Sequence, residues 1–306
     1  MKNNYNSCSI ITVNYNSFLY TKNLIKNLEY ISTKNFNLFI IDNFSDDNSY
    51  QKIFNLLKFS SKNIFFLEDS KILESFKKNN IFLIRLKSNY GYSAAVNIPL
   101  NMNDKIYLSK FFWIINNDVE IEVNTLDILK KEYIPNSITT PMVYDLNNKN
   151  NIQSLGCTVN SLLLTTKNLK NLNNFNKIDY ISGVSLFFDK NVLRINGNLP
   201  EKYFMYYEDV DWCKKATSND IKLLINTNTK IFHKKNKNID FKLKFTSILN
   251  RLRFCLKFYP YKIPSVFIYS MFGLIYHFIK YLLNLKNVKY IRLYINCFMY
   301  FSIWSR

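Results

Sequence analysis

FFWIINNDVEI, residues 111–121, opens on five consecutive apolar residues and closes on the polar stop Asn116-Asn117-Asp118. A short unbroken apolar run bounded in this way predicts a strand buried on both faces. The same design repeats upstream. SIITV at 9–13 stops at Asn14-Tyr15-Asn16-Ser17, FNLFII at 36–41 stops at Asp42-Asn43-Phe44-Ser45-Asp46-Asp47, and IFLIRL at 81–86 leads to Asn89-Tyr90-Gly91-Tyr92. Helical patterns follow the first two, with Leu19, Leu24, Ile25 and Leu28, then Ile53, Phe54, Leu56 and Leu57, and Ser93-Ala94-Ala95 opens a third. Four such strands, most followed by a helix, predict an α/β fold with an open, mostly parallel sheet flanked by helices. A ligand site belongs at the strand carboxyl ends.

Beyond Asp118 the pattern is irregular. Residues 139–166 suggest a hairpin or mixed region, and 167–177 a polar Asn/Lys-rich loop. Structure resumes with YISGVSLFF at 180–188, a helix around Tyr206–Ala216, and two short extended pieces at Ile221–Ile225 and Lys230–His233. From about Phe241 onward aromatic and aliphatic residues interleave with Lys and Arg. The expected division is a main domain over 1–238 and a basic, aromatic-rich helical region over 239–306.

With 306 residues, 48% of them apolar, the chain can bury a large core, which excludes disorder and a small disulfide scaffold. The net charge of +19 by itself suits nucleic acid, an anionic membrane or a phosphorylated substrate. Its distribution separates them: residues 1–229 carry 26 basic and 21 acidic side chains, and the last 77 residues carry 15 basic and one acidic. Cys8, Cys157, Cys213, Cys255 and Cys297 are widely spaced without a C-x-x-C pair, so neither a zinc site nor a disulfide framework is expected, and a reducing cytosol fits. The apolar run near the N-terminus is too short for a signal peptide.

Three constellations offer chemistry. Asp42-Asn43 and Asn116-Asn117-Asp118 sit at strand ends, where a carboxylate accepts from a base or ribose and another holds a divalent ion bridging a diphosphate; equally, Asp and Asn are ordinary turn residues. Glu208-Asp209-Val210-Asp211 follows the aromatic run Tyr203–Tyr207. Three carboxylates there are costly to bury without a cation or a proton to abstract, and the bland alternative is a set of acidic groups favoured at a helix start. His233, one of two histidines, precedes Lys234-Lys235 and is either a surface residue or a partner for Asp118 in a metal site.

Taken in order, SIITVNYNS, IIDNFSDDNS, NYGYSAAVN, FFWIINNDVEI, ISGVSLFFDKNVLRINGNLPEKYFMYYEDVDWCKKA and IFHKKN resemble the successive motifs of the inverting family-2 glycosyltransferases of the GT-A fold, nearest the bacterial rhamnosyltransferase-like branch. The resemblance covers residues 8–235. It implies that Thr12, Val13 and Asn14, with Asp42 and Asn43, hold the base and ribose of a nucleotide-sugar donor. Asn89, Gly91 and Tyr92 match the loop closing over the nucleotide, supported by Asn97; Asn117 belongs to the donor-binding turn and Gly183 to the sugar pocket. Asp118 and His233 match metal ligands for Mn2+ or Mg2+. Asp209 matches the catalytic base, with Glu208 orienting the acceptor. Asn116 departs from the usual Asp-x-Asp pattern and removes one anionic ligand.

The implied reaction transfers a sugar to a saccharide or lipid-linked saccharide acceptor, with inversion, in cell-surface polysaccharide synthesis. Ile263–Ile279 and Tyr290–Trp304 are apolar-aromatic runs flanked by Lys and Arg, the composition of helices lying on an anionic membrane surface, here the inner face of the cell membrane. The alternative is a helical appendage packed on the main domain or on a second subunit. Competing functions are a nucleic-acid-binding protein, disfavoured because the basic residues mingle with apolar runs and no nucleic-acid motif occurs, and an inactive scaffold of the same fold.

Overall fold

A computed structural model of the chain describes residues 7–33, 35–58, 64–68, 80–106, 109–171, 178–234, 241–282, 292 and 295–296. The expected strands are present as β1 (Cys8–Asn14), β2 (Phe36–Asp42), β4 (Ile81–Arg85) and β5 (Phe111–Ile115), interleaved with α1 (Phe18–Tyr30), α2 (Ser49–Lys58) and α3 (Tyr92–Ile106). An additional strand, β3 (Ile64–Glu68), pairs parallel with β4 at the sheet edge.

The order β3-β4-β2-β1-β5 is parallel throughout. The chain places β2, β3 and β4 on one side of β1 and resumes on the other with β5. The crevice beyond the carboxyl ends of β1 and β5 is therefore a topological switch point, where open α/β sheets bind ligands. Side chains alternate between the two faces. Ile11, Phe39, Ile41, Phe82, Ile84, Phe112 and Ile114 pack with Ala95, Val96 and Leu100 of α3 on one face. Ile10, Leu38, Ile40, Leu83, Trp113 and Ile115 pack on the other with Leu24, Ile25 and Leu28 of α1, Ile53 and Leu57 of α2, and residues of α4 (Thr125–Lys131). Burial on both faces is why these strands read as unbroken apolar runs, each large side chain contributing about 1.5–3 kcal/mol.

The second half continues the sheet antiparallel from β5 through β11 (Ser185–Asp189) to β7 (Ser137–Asp145), then parallel to β12 (Lys222–His233) and antiparallel again to β6 (Val119–Ile121). The expected hairpin is β7 with β8 (Asn148–Ser154), followed by the small pair β9 (Cys157–Val159) and β10 (Thr166–Asn168). The predicted loop thus begins inside β10, and its residues 172–177 lie outside the described chain. The two extended pieces at Ile221–Ile225 and Lys230–His233 are one strand, β12, broken only by a register shift between Asn226 and Lys230. α5 (Lys190–Asn196) follows β11. α6 (Glu208–Ser218) starts two residues later than the apolar pattern suggests, because Tyr206 and Tyr207 both have φ of 71° and cannot be helical.

α7 (Phe241–Phe258) and α8 (Ile263–Leu282) complete the described chain. Leu252, Phe254, Cys255 and Val266 of these helices are buried in the same cluster as Tyr203, Val210 and Cys213, so the basic region shares the main core. Residues 235–240, where the boundary was expected, lie outside the described chain, as does nearly all of Tyr290–Trp304. Cys8, Cys157, Cys213 and Cys255 are free and buried.

Candidate active site

The carboxyl ends of β1 and β2 form one buried network. Parallel register sets Asn14 beside Asp42. Asn14 Nδ2 donates to Asp42 Oδ1 at 2.8 Å and to Ser45 Oγ at 3.0 Å, and Asn14 Oδ1 accepts from Thr21 Oγ1 at 2.7 Å. The Ser45 hydroxyl and amide donate to Asp42 at 2.6 and 3.1 Å. Thr12, Asn14 and Asp42 are buried; of the expected β1 contacts only Val13 is partly exposed. The side chains of Asn14 and Asp42 therefore shape the crevice by bracing its strand ends. Thr12 Oγ1 has no hydrogen-bond partner among the described residues.

Asn43 extends the network to the next loop. Its Nδ2 donates to Asn89 Oδ1 at 2.9 Å and to the Gly91 carbonyl at 3.2 Å, and its Oδ1 accepts from the Tyr90 amide at 3.1 Å. Gly91 has φ of +89°, and a Cβ there would lie 2.5 Å from the Phe204 carbonyl oxygen, so only glycine fits. The Tyr92 amide donates to that carbonyl at 2.9 Å. The loop thus joins the β2 end to the segment leading into α6. Asn97 bonds the Leu199 backbone in both directions and Glu201 at 2.8 Å, supporting that segment rather than residues 89–92 directly.

On the other side of the crevice, Asn117 Nδ2 donates to Ser17 Oγ at 2.6 Å and Thr21 Oγ1 at 2.8 Å, so its amide nitrogen is committed to α1. Antiparallel pairing of β6 with β12 brings Asp118 to His233, Oδ1 to Nε2 at 3.2 Å. The Gln153 side-chain amide of β8 meets His233 Nδ1. Apart from this ion-pair contact, Asp118 Oδ1 has no hydrogen-bond partner among the described residues, and an amide that orients an imidazole resembles the second layer behind a metal ligand. A mixed O/N pair of this kind suits Mn2+ or Mg2+ only with further oxygen donors. Among the described residues no group of three His, Cys, Asp or Glu forms a complete site. Asn116 is consistent with that shortfall: its Oδ1 accepts weakly from the Tyr92 hydroxyl, at 3.4 Å.

The first turn of α6 sorts its three carboxylates by environment. Asp211 is buried and fully engaged, with Oδ1 2.6 Å from Lys257 Nζ and Oδ2 accepting from Tyr203 Oη at 2.8 Å, with Lys202 Nζ at 3.3 Å. Glu208 is buried, and its Oε2 has no partner among the described residues. Burial, and then the neighbouring Asp209 charge, raises its pKa well above the ordinary carboxylate value. Asp209 alone remains partly exposed. Its Oδ2 accepts from the Gly183 amide and its Oδ1 from the Val210 amide, both at 2.9 Å. Burial raises its pKa and these N–H donors oppose the rise. The Tyr92 hydroxyl donates to the Gly183 carbonyl at 3.0 Å, and burial followed by the charges of Glu208, Asp209 and Asp118 keeps that phenol protonated. Tyr92 therefore connects the Gly183–Asp209 contact to the Asn116–Asp118 turn, a role that its position in a loop motif alone does not reveal.

The family model described as Glycosyl transferase family 2 matches residues 9–192. No curated protein matches the sequence. Among solved structures the chain is similar to GalNAc-T7 with UDP, GalNAc and Mn2+, at 13% identity and a TM-score of 0.60 over 83% of this chain and 48% of that one. It is similar to S. aureus TarS at 15% identity and a TM-score of 0.53, over 82% of this chain and 40% of that one. It is also similar to the mannosyltransferase PcManGT from Pyrobaculum calidifontis in complex with GDP-Man and Mn2+, at 10% identity and a TM-score of 0.57, over 97% and 75%. At these identities the likeness is one of fold. The chain spans about half the length of GalNAc-T7 and two fifths of TarS.

Proposed function

Since the chain belongs to glycosyl transferase family 2 and has the GT-A fold, we propose that it is an inverting glycosyltransferase in which Asp209 is the general base. The observation that carries this reading is the sorting of the α6 carboxylates. Asp211 is spent on lysines and a tyrosine and Glu208 is buried, which leaves Asp209 as the partly exposed carboxylate beside Gly183.

In a single displacement the acceptor hydroxyl attacks the anomeric carbon as the bond to the diphosphate oxygen breaks, and Asp209 takes the hydroxyl proton. The amides of Gly183 and Val210 fix the carboxylate, whose remaining lone pairs are free to take a proton. Glu208 binds or orients the acceptor. Asn43, Asn89 and Gly91 shape the loop that closes on the nucleotide, and the network of Asn14, Asp42 and Ser45 holds the strand ends beneath it. Asp118 and His233 would hold a divalent ion, which supplies Lewis-acid stabilisation of the departing diphosphate when bound. The donor class is a uridine- or deoxythymidine-diphosphate sugar; GalNAc-T7 holds UDP, and the order of sequence blocks resembles the rhamnosyltransferase-like branch.

The acceptor is a saccharide, lipid-linked in a cell-surface polysaccharide pathway, and the enzyme works at the inner face of the membrane. Supporting this, α8 exposes Phe272, Ile275 and Ile279 in a basic region, while among the described residues no helix is long and apolar enough to cross a membrane. The deciding experiment is a panel of nucleotide sugars followed for binding, slow donor hydrolysis and transfer, with and without Mn2+ or Mg2+. One donor class turning over in an Asp209-dependent manner is expected; no donor bound under any metal condition removes the enzyme reading.

A further inference from the structure

The segment Lys202–Tyr207 delivers the chain into the helix that carries Asp209, and it is held by α7 of the basic C-terminal region. Two consecutive tyrosines, Tyr206 and Tyr207, adopt φ of 71°, a conformation that nothing in their own side chains favours. Asn250 of α7 donates from Nδ2 to the carbonyls of Met205 and Tyr206 at 2.9 and 3.0 Å, on either side of the entry to that turn. Seven residues on, two helical turns along the same face, Lys257 Nζ reaches Asp211 Oδ1 at 2.6 Å. Between them Arg253 donates to the Lys202 carbonyl at 3.2 Å and to Asn250 Oδ1 at 3.0 Å. Leu252, Phe254 and Cys255 anchor the helix in the core beside Tyr203, Tyr207 and Val210.

We propose that α7 is a positioning clamp for the catalytic base, with Asn250 and Lys257 as its working residues. They grip the backbone before Asp209 and the carboxylate after it, and the contacts described for Asp209 itself come only from the amides of Gly183 and Val210. The same segment presents the Phe204 carbonyl to the Tyr92 amide, so the clamp also sets the loop next to Gly91. The basic C-terminal region is thereby part of the catalytic apparatus, whatever surface it also meets. The proposal rests on Asp209 being the base.

The test uses the full chain with Asn250→Ala, Lys257→Met and Lys257→Arg. Amide hydrogen exchange should accelerate at residues 204–211 in the first two variants and stay unchanged in β1 and β2. Transfer should lose about 10–100-fold in kcat with donor KM within about two-fold, the signature of a displaced rather than missing base. Lys257→Arg, which keeps the ion pair, should recover most of the rate. Wild-type exchange and kcat in Asn250→Ala and Lys257→Met overturn the clamp, as does faster exchange throughout the chain, which makes the residues merely structural. A wild-type protein that transfers no sugar overturns the glycosyltransferase reading and with it the purpose of the clamp; active wild type with unaffected variants overturns the clamp alone.

Discussion

Gly183 and Asp209 touch from two distant parts of the chain: the glycine amide donates to Asp209 Oδ2 at 2.9 Å, and the glycine has no side chain to cover the carboxylate it holds. A Cβ built on Gly183 would stand 3.7 Å from Asp209 Oδ2 and 3.8 Å from a Tyr92 ring carbon, ordinary contact distances. Gly183→Ala should therefore fold with an unchanged melting temperature and still lose rate, because its methyl group occupies the approach to the base. Asp209→Asn, which keeps the shape and removes the proton acceptor, should cost about 10²–10⁴ in kcat. Steady-state kinetics beside a melting curve separates the two effects, and full activity of Asp209→Asn would remove the base assignment.

Glu208 carries the clearest pH prediction. Its pKa is raised in the folded state by burial and by Asp209, so the folded protein prefers it protonated. The stability it contributes is fully present below the ordinary carboxylate pKa and is lost as pH rises through the raised one. Glu208→Gln should accordingly raise the melting temperature at neutral pH, and the gain should vanish in acid. Asp209 has a raised pKa too, so kcat should fall on acidification at a pH above the ordinary aspartate value of 3.8. A melting-temperature gain independent of pH would contradict the burial of a charge at Glu208.

Gly91 separates backbone strain from chemistry. An alanine must adopt φ near +89° and place its Cβ against the Phe204 carbonyl, which lies on backbone and cannot swing away. A left-handed non-glycine residue costs about 1–3 kcal/mol before that clash is counted. Gly91→Ala should lower the melting temperature and weaken nucleotide binding through the Asn43–Asn89 network, as calorimetric titration with a nucleoside diphosphate would show. Unaltered affinity would place the nucleotide away from this loop.

The parallel half of the fold was legible because burial on both faces leaves an unbroken apolar signature, which β1, β2, β4 and β5 all carry. β3 escaped because IFFLE resembles the apolar residues of a neighbouring helix and lies at the sheet edge. β12 was read as two pieces because the register shift at Asn226–Lys230 places polar residues in mid-strand. In the candidate site, residue types were legible and their burial was not. Asn14 and Asp42 look like open strand-end ligands, yet Ser45 and Thr21 enclose them. The clamp left no signal at all, since Asn250 and Lys257 look like polar punctuation in a basic helix until the fold brings them to the α6 entry.

α8 presents Ile268, Phe272, Tyr276 and Ile279 at helical spacing, each at least half exposed. If this stripe seats in the acyl boundary, the protein should co-sediment with vesicles containing anionic phospholipid and less with neutral ones, and salt should weaken the difference. Phe272→Ser with Ile279→Ser should reduce binding by about tenfold or more, since each buried methylene contributes about 0.8 kcal/mol. Wild-type binding by the double variant would assign the contact elsewhere.

If Asp118 and His233 hold a divalent ion as proposed, a third protein ligand has an identifiable place. Asn116 stands where an acidic residue would add a negative oxygen, and its Oδ1 is only weakly engaged by Tyr92 at 3.4 Å. Cation affinity rises with the number of charged oxygen ligands. Wild-type protein should therefore bind Mn2+ weakly alone and more tightly with a nucleoside diphosphate, whose oxygens complete the set. Asn116→Asp should tighten binding of the metal by itself, and Asp118→Asn or His233→Ala should abolish it in both conditions. Gln153→Leu removes the group that orients the imidazole and should cost about 10-fold in affinity without removing a ligand. Electron paramagnetic resonance of free Mn2+ reads each of these directly and needs no turnover. If Asn116→Asp leaves Mn2+ affinity unchanged while His233→Ala lowers it, the ion sits on the β12 side of Asp118, beyond reach of residue 116.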